Sequence, residues 1–438
     1  MKRICKTHVR LLILSISVVG VSICADAEAA CTETNTCLGE GALPENSGIN
    51  NSAFGAYTLN NTAASNYNTA VGADALSSFN HIDEADSSAQ NTAVGGRALL
   101  GNLGGNSNSA FGFDALSGAF SEGEGYFQRG SFNTASGVNA LEGNSSGNYN
   151  TASGAYALQG ADTGPDGVYQ TGSSNTASGA YALNGNRYGK ENTANGAYAL
   201  RGGLALSWSE DRNTPLQDGN YNTATGSRAL LNNGEGSFNT AIGASSLRRN
   251  STGIRNTAIG YRSGFSVTGN DNITIGGGNE GHTAENGVIR IGIASNQKKA
   301  FVAGIRGVTT GNTNATAVFI DGNGQLGTIK SSRTVKEDIQ PLGDLSERLY
   351  SLRPVTFRYK QPYEDGSKPV QIGLVAEDVA EVFPELVVYG EKGKPETVSY
   401  HLLSTLLVNE LQKQRAVVTD QEVRIADLER KVAELVKK

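Results

Sequence analysis

Between residues 51 and 276 the apolar positions follow a nine-residue frame, Asn-x-Ala-x-Gly-x-x-x-Leu, and not a helical stripe. Eleven copies start at Asn51, Asn68, Asn91, Asn108, Asn133, Asn150, Asn175, Asn192, Asn222, Asn239 and Asn256, and NTASGAYAL stands unchanged at 150–158 and 175–183. Asn, Ala and Gly hold the first, third and fifth places in every copy, while the fourth wanders through Phe, Val, Ser, Asn, Thr and Ile. A constraint on every second residue marks a strand. The fixed Ala predicts an interior too narrow for a larger side chain. The fixed Gly predicts a bend or a close backbone approach. Asn tolerates turn conformations, and successive Asn side chains can stack in a ladder. Leu at the ninth place, in ten of the eleven copies, supplies most of the apolar payload.

The copies are 17 residues apart, or 23, 25, 25 and 30 where an insertion intervenes, with NITIG at 272 and VIRIG at 288 as fading copies. Such a period predicts a solenoid whose coils rise about 4.8 Å each. Every second coil from 68 to 192 carries an insertion at one point of the frame, so the insertions are expected along one side, about 10 Å apart. One Leu and two Ala per coil make a thin core for a 17-residue coil, so several chains are expected to share it.

The pattern changes near residue 296: one lysine, Lys190, lies between 31 and 290, whereas lysines are common after 297. Alternating apolar residues around DGNGQ predict a hairpin in a connector at 297–330. Asp344-Leu-Ser-Glu-Arg-Leu reads as a capped helix and PVTFRYK as a strand. VQIGLVAEDVAEVFPELVVY reads as strand, helix and strand, with Pro384 ending the helix. From Ser404 to Lys438 the chain reads as helix. Leu411, Val418, Ile425 and Val432 repeat every seven residues, with Gln414, Gln421, Leu428 and Leu435 three further on. That is a coiled-coil seam whose heptads alone leave the oligomer open.

The N-terminus reads as a signal peptide over 1–29: four basic residues, the apolar run LLILSISVVGVSIC, then small residues. Its removal leaves Cys31 and Cys37 in CTETNTC, expected to form a local disulfide, and no further run able to span a membrane. A net charge of −6 gives no reason to expect nucleic acid as partner. No cofactor and no metal site is expected. Glu84, Asp86, Glu122 and Glu124 lack the spacing of a calcium loop.

The repeats resemble the head repeats of trimeric autotransporter adhesins, over about 51–276. The resemblance implies a left-handed parallel β-roll in a homotrimer; the membrane-anchoring barrel that ends those adhesins has no counterpart here. The insertions at 77–90, 117–132, 159–174 and 201–221 carry Phe120, Tyr126, Phe127, Tyr169 and Trp208 among acidic and small residues. They read as a contact surface for glycans or protein surfaces, or as tolerated loop decoration.

Ser331 and Lys336 are the candidates for covalent chemistry, since a Lys amine freed of its proton can activate a Ser hydroxyl. A Ser and a Lys five apart also fit a plain polar loop. The blocks SSRTVKEDI, LRPVTFRYK, QIGLVAEDVAEVFPELV and VSYHLLSTLLVNELQKQ (about 328–415) resemble the intramolecular chaperone of endosialidases and phage tail spikes. That family trimerises, guides folding of the fibre ahead of it, and cuts itself off. Carried over, Ser331 is the nucleophile, Lys336 the base, and Lys330–Ser331 the bond cut. The family pattern S-D-x-R-x-K meets Ser332 in place of Asp and Thr334 in place of Arg. Gln371, Glu377 and His401 lie in the similar blocks and read as structural.

The chain therefore reads as mainly β: a signal peptide (1–29), an N-terminal segment with the Cys pair (30–50), a left-handed parallel β-roll or solenoid (51–296) and a connector (297–330). A small α+β chaperone and autopeptidase domain (331–403) and a coiled coil (404–438) follow. The expected function is an exported homotrimeric fibre, adhesin-like or phage-tail-like, secreted or at a bacterial surface, that cleaves itself. The alternative is the same fibre with its chaperone retained uncleaved. A rod that hydrolyses polysaccharide would need paired carboxylates, and the repeat has no such fixed pair.

Overall fold

In each copy of the frame, the second to fourth residues form a strand whose middle Ala points inward, as in Thr151–Ser153, Thr176–Ser178 and Thr193–Asn195. In a computed structural model of the chain, the described residues are 34–43, 48–60, 65–78, 88–121, 125–160, 170–202, 218–293, 295–390 and 392–437. They fall into two units, meeting at Phe301 and Val302. In the first unit, 14 strands stack in one parallel sheet from Thr36–Leu38 to Ile289–Ile291. The register is uniform, with Ala152 opposite Ala135 on one side and Ala177 on the other. The fading copies at 272 and 288 continue the stack. So does an earlier one, NTCLGEGAL at 35–43, which sets Cys37 opposite Ala53. That copy has Asn, Gly, Ala and Leu in their places, but Cys stands for the third-place Ala and hides it. Cys37 is disulfide-bonded; Cys31, its expected partner, and the signal peptide lie outside the described residues.

The core is a single file of small side chains. Ala152, Ala157 and Leu158, at the third, eighth and ninth places of one coil, are fully buried, and the same places recur along the stack. A ladder of first-place Asn flanks it. The backbone N–H of Asn175 donates to Oδ1 of Asn150 at 2.9 Å, and that of Asn192 to Asn175 at 3.0 Å. Each Nδ2 then donates to a Gly carbonyl, as Asn150 does to Gly172 at 2.9 Å. Further round the coil, Asn144 closes a turn by accepting from Gly147 N and donating to Gly147 O, both at 3.1 Å. All these Asn are buried, and their satisfied amides carry the turns where no strand ladder exists.

The turns need unusual backbone. Gly154 has φ +130°, and a Cβ there would lie 2.8 Å from the carbonyl of Gly179 in the next coil. Non-glycine residues also turn left-handed: Tyr149, Tyr156 and Leu158 have φ of 57°, 58° and 51°. The seventh and ninth places are never Val, Ile or Thr in the described coils, because a β-branched side chain tolerates positive φ poorly.

The four insertions leave the roll after Ser78, Gly118, Gly160 and Gly202. Gly118 N bonds Leu100 O, Gly160 N bonds Glu142 O, and Gly202 N bonds Asn184 O, so the departures share one corner. Gln128 and Gln170 take up the twelfth-place amide role on return, donating to Gly130 O and Gly172 O. Within 117–132, Ala119–Ser121 and Gly125–Phe127 pair as a hairpin. Tyr169, Trp208, Glu84, Asp86, Glu122 and Glu124 lie outside the described residues.

The second unit holds the expected hairpin, Phe319–Ile320 with Leu326–Gly327. Val355–Phe357 pairs with Gln371–Gly373 and Val387–Tyr389 with Pro395–Val398, both antiparallel. Helix α1 (Ala376–Val382) lies between them in sequence, and helix α2 (Tyr400–Val436) follows. Val379, Phe383, Leu386 and Leu406 centre a small core. The stretch expected as a capped helix is a 3-10 helix, Gly343–Ser351, without a side-chain cap. It starts at Gly343 with Leu342 at the cap position, so Asp344 lies within the first turn, where its carboxylate pairs with Lys413, 2.9 Å away. Among the described residues, no helix is long and apolar enough to cross a membrane.

Candidate functional site

Ser331 and Lys336 bracket a single 3-10 turn, Arg333–Val335. Ser332 caps it: its Oγ accepts from Thr334 N at 3.3 Å and lies 2.8 Å from Thr334 Oγ1. Lys336 ends it, its backbone N–H donating to Arg333 O at 3.3 Å. Ser332 and Thr334, the two departures from the family pattern, thus serve each other. Lys330, Ser331 and Lys336 are exposed, and no hydrogen bond joins Ser331 to Lys336 in the single chain.

Gln371 lies in a strand opposite Phe357, and Glu377 in the first turn of α1. The His401 ring lies 4.9 Å from that of Phe319, tilted by 57°, which fastens the connector hairpin to α2. None of the three is hydrogen-bonded to Ser331 or Lys336.

The polar centre of this unit is elsewhere, where the 3-10 helix Gly343–Ser351 meets α2. Ser346 Oγ donates to the Glu410 carboxylate, and both residues are buried. Asn409 Nδ2 bonds Gly343 O at 2.9 Å and Ser346 Oγ at 2.6 Å. Lys413 Nζ reaches Asp344 at 2.9 Å, Glu347 at 3.1 Å and Glu410 at 3.5 Å. Gln414 donates to the Tyr350 hydroxyl at 2.7 Å. The Ser346 hydrogen bond holds the Glu410 carboxyl below its ordinary value, against the opposing effect of burial. The Lys413 bond does the same for Asp344, and Asp344 in turn holds the Lys413 ammonium above its ordinary value. Sequence reasoning missed this clasp. Its residues are split between 343–351 and 409–414, and only the i,i+3 pair Glu410/Lys413 is visible locally.

The heptad seam of α2 is bare in the single chain. Leu411, Ile425, Leu428 and Leu435 are 67, 54, 59 and 70% exposed. Connector residues Phe301, Val302 and Ile305 are exposed as well.

Residues 331–388 match the family described as chaperone of endosialidase. The match starts on Ser331 and runs through α1 to Val388. No curated protein and no solved structure matches the chain. The chain therefore carries the chaperone domain expected from its sequence, behind a long parallel β stack.

Proposed function

We propose that the chain is an exported homotrimeric fibre whose C-terminal unit assembles three copies, guides folding of the roll, and then cuts the Lys330–Ser331 peptide. The observation that carries this reading is the bare apolar seam of α2 beside a chaperone-family domain. Four large apolar residues on one helix stripe, more than half exposed, are costly in water and call for copies of the same helix. A homotrimer is the assembly that the resemblances on both halves imply.

Cleavage follows from the same assembly. Ser331 Oγ attacks the Lys330 carbonyl carbon while the Lys336 amine takes the hydroxyl proton. The Lys336 ammonium gives that proton to the Ser331 nitrogen, which leaves as a free amine as the acyl group passes to oxygen as an ester. Water then hydrolyses that ester, leaving the Lys330 carboxylate and the Ser331 hydroxyl. A Lys amine serves as base only where desolvation favours its neutral form. Lys336 is exposed in one chain, so burial by neighbouring copies would switch cleavage on after assembly.

The second reading keeps the fibre and drops the cut. It is favoured by the Ser332–Thr334 bond, which stands where the family pattern has Asp and Arg. Denaturing gels of wild type and Ser331→Ala decide between them. Fragments ending at Lys330 and starting at Ser331, present in wild type and absent in the variant, are expected from the first reading. One uncleaved band from both would leave the second.

A further inference from the structure

Two neighbouring columns along one corner of the roll combine tyrosine with arginine. Tyr156, Tyr181 and Tyr198, at the seventh place of three successive coils, stack with centroids 4.8 and 5.2 Å apart and planes within 6°. Arg201 lies over Tyr181 and Tyr198, at 5.5 and 5.3 Å. The next coil continues the tyrosine column with Arg228, whose N–H bonds Ala197 O. Beyond it, Arg248, Arg249 and Arg262 converge on the Phe265 ring at 5.7, 5.0 and 4.3 Å. The strip covers six coils, or about 24 Å at the usual strand spacing.

Positive charge is concentrated here. Residues 31–200 contain four Lys and Arg, whereas 201–262 contain seven, five of them in this strip, in a chain of net charge −6. Of the five arginines in the strip, only Arg262 has a carboxylate partner among the described residues, Glu280 at 2.6 Å. Arg248 and Arg249, without a carboxylate partner among the described residues, repel one another beside Phe265, and an anion between them removes that cost. Their planar forks match carboxylate or sulfate in two parallel bonds. Tyr181 is stacked by a tyrosine on each side, and Arg201 lies over Tyr181 and Tyr198, so the column offers little open ring face to a run of nucleobases. The ring edges and hydroxyls remain, and these suit the hydroxyls of a sugar.

We propose that this strip binds a linear anionic polysaccharide along the rod, its carboxylate or sulfate groups held by Arg201, Arg228, Arg248 and Arg249. The proposal concerns the roll, and its binding test is independent of whether Lys330–Ser331 is cut.

The full chain is titrated with heparin as the sulfated probe, polygalacturonate as the carboxylated one, dextran as the neutral one, and single-stranded DNA. One or both anionic glycans should bind, more weakly as salt rises, and dextran should not. The better of the two identifies the anionic group. Arg228→Gln/Arg248→Gln/Arg249→Gln should lose at least about tenfold in affinity, and the corresponding triple Lys variant should fall between it and wild type. Should the Gln variant fail to fold, Arg249→Gln alone, at an exposed position, should still weaken binding. Absence of glycan binding, equal binding of dextran, DNA binding as tight as that of the glycans, or folded Gln variants that bind like wild type would each overturn the proposal. So would a triple variant that changes the mass of the assembly but not its glycan affinity, since the arginines would then face another copy of the chain.

Discussion

At the scale of single residues, the roll depends on groups that cannot be exchanged for near relatives. Asn150 accepts the backbone N–H of Asn175 and donates to Gly172 O, deep in the stack. Asn150→Ala strands both partners, at about 1–3 kcal/mol for each unsatisfied group. Gly154→Ala forces a Cβ against Gly179 on a backbone that L residues rarely adopt, for a further penalty of about 1–3 kcal/mol. Ser153→Val, on the exposed fourth place, should stay within about 0.5 kcal/mol of wild type. Urea midpoints of the three variants check this order; Asn150→Ala melting with Ser153→Val would refute the ladder as a source of stability. The Asn, Ala, Gly and Leu roles were legible because eleven copies repeat them. The left-handed seventh and ninth places were not. Their sign is an absence of β-branched residues, which means something only once the φ angles are known.

At the scale of elements, the clasp between Gly343–Ser351 and α2 makes the chaperone-like unit sensitive to acid. Glu410 and Asp344 are both held below their ordinary values by hydrogen bonds to Ser346 and Lys413. An unfolded chain then binds more protons than the folded one as pH drops, so their contribution is present above about pH 5 and disappears at lower pH. Lys413 is shifted upward, so its contribution is complete at neutral pH and is lost only in strong base. Hydrogen exchange of amides 343–351 in the full chain should therefore be slow and flat across neutral pH, after correction for the intrinsic rate. It should accelerate on acidification. Glu410→Gln should flatten part of that acid dependence, and an unchanged profile would exclude Glu410 from it. The clasp escaped sequence reasoning because its halves lie more than 60 residues apart. The 3-10 helix likewise starts one residue before Asp344, whose carboxylate pairs with Lys413 of α2.

At the scale of the molecule, the proposed assembly rests on the bare seam of α2. Ile425→Asp/Leu428→Asp should leave chains that scatter light as monomers, and under the proposed order of events they should also remain uncut. Ser331→Ala should keep the assembled mass and lose only the cut. Monomers that still cleave would separate cleavage from assembly.

Repetition let the sequence by itself determine the roll. A period of 17 with fixed inward residues admits one stacking register, and insertions at one point of the period must leave by one corner. The heptads likewise wrote the seam of α2, and the blocks from Ser331 onward wrote the chaperone domain. Only the tertiary structure decided which distant residues share hydrogen bonds. It made Cys37 part of a first coil, turned Asp344 from cap to ion-pair partner, and gathered three arginines on Phe265. Local periodicity fixes which way a side chain points, but what it meets depends on chain segments that no local pattern relates.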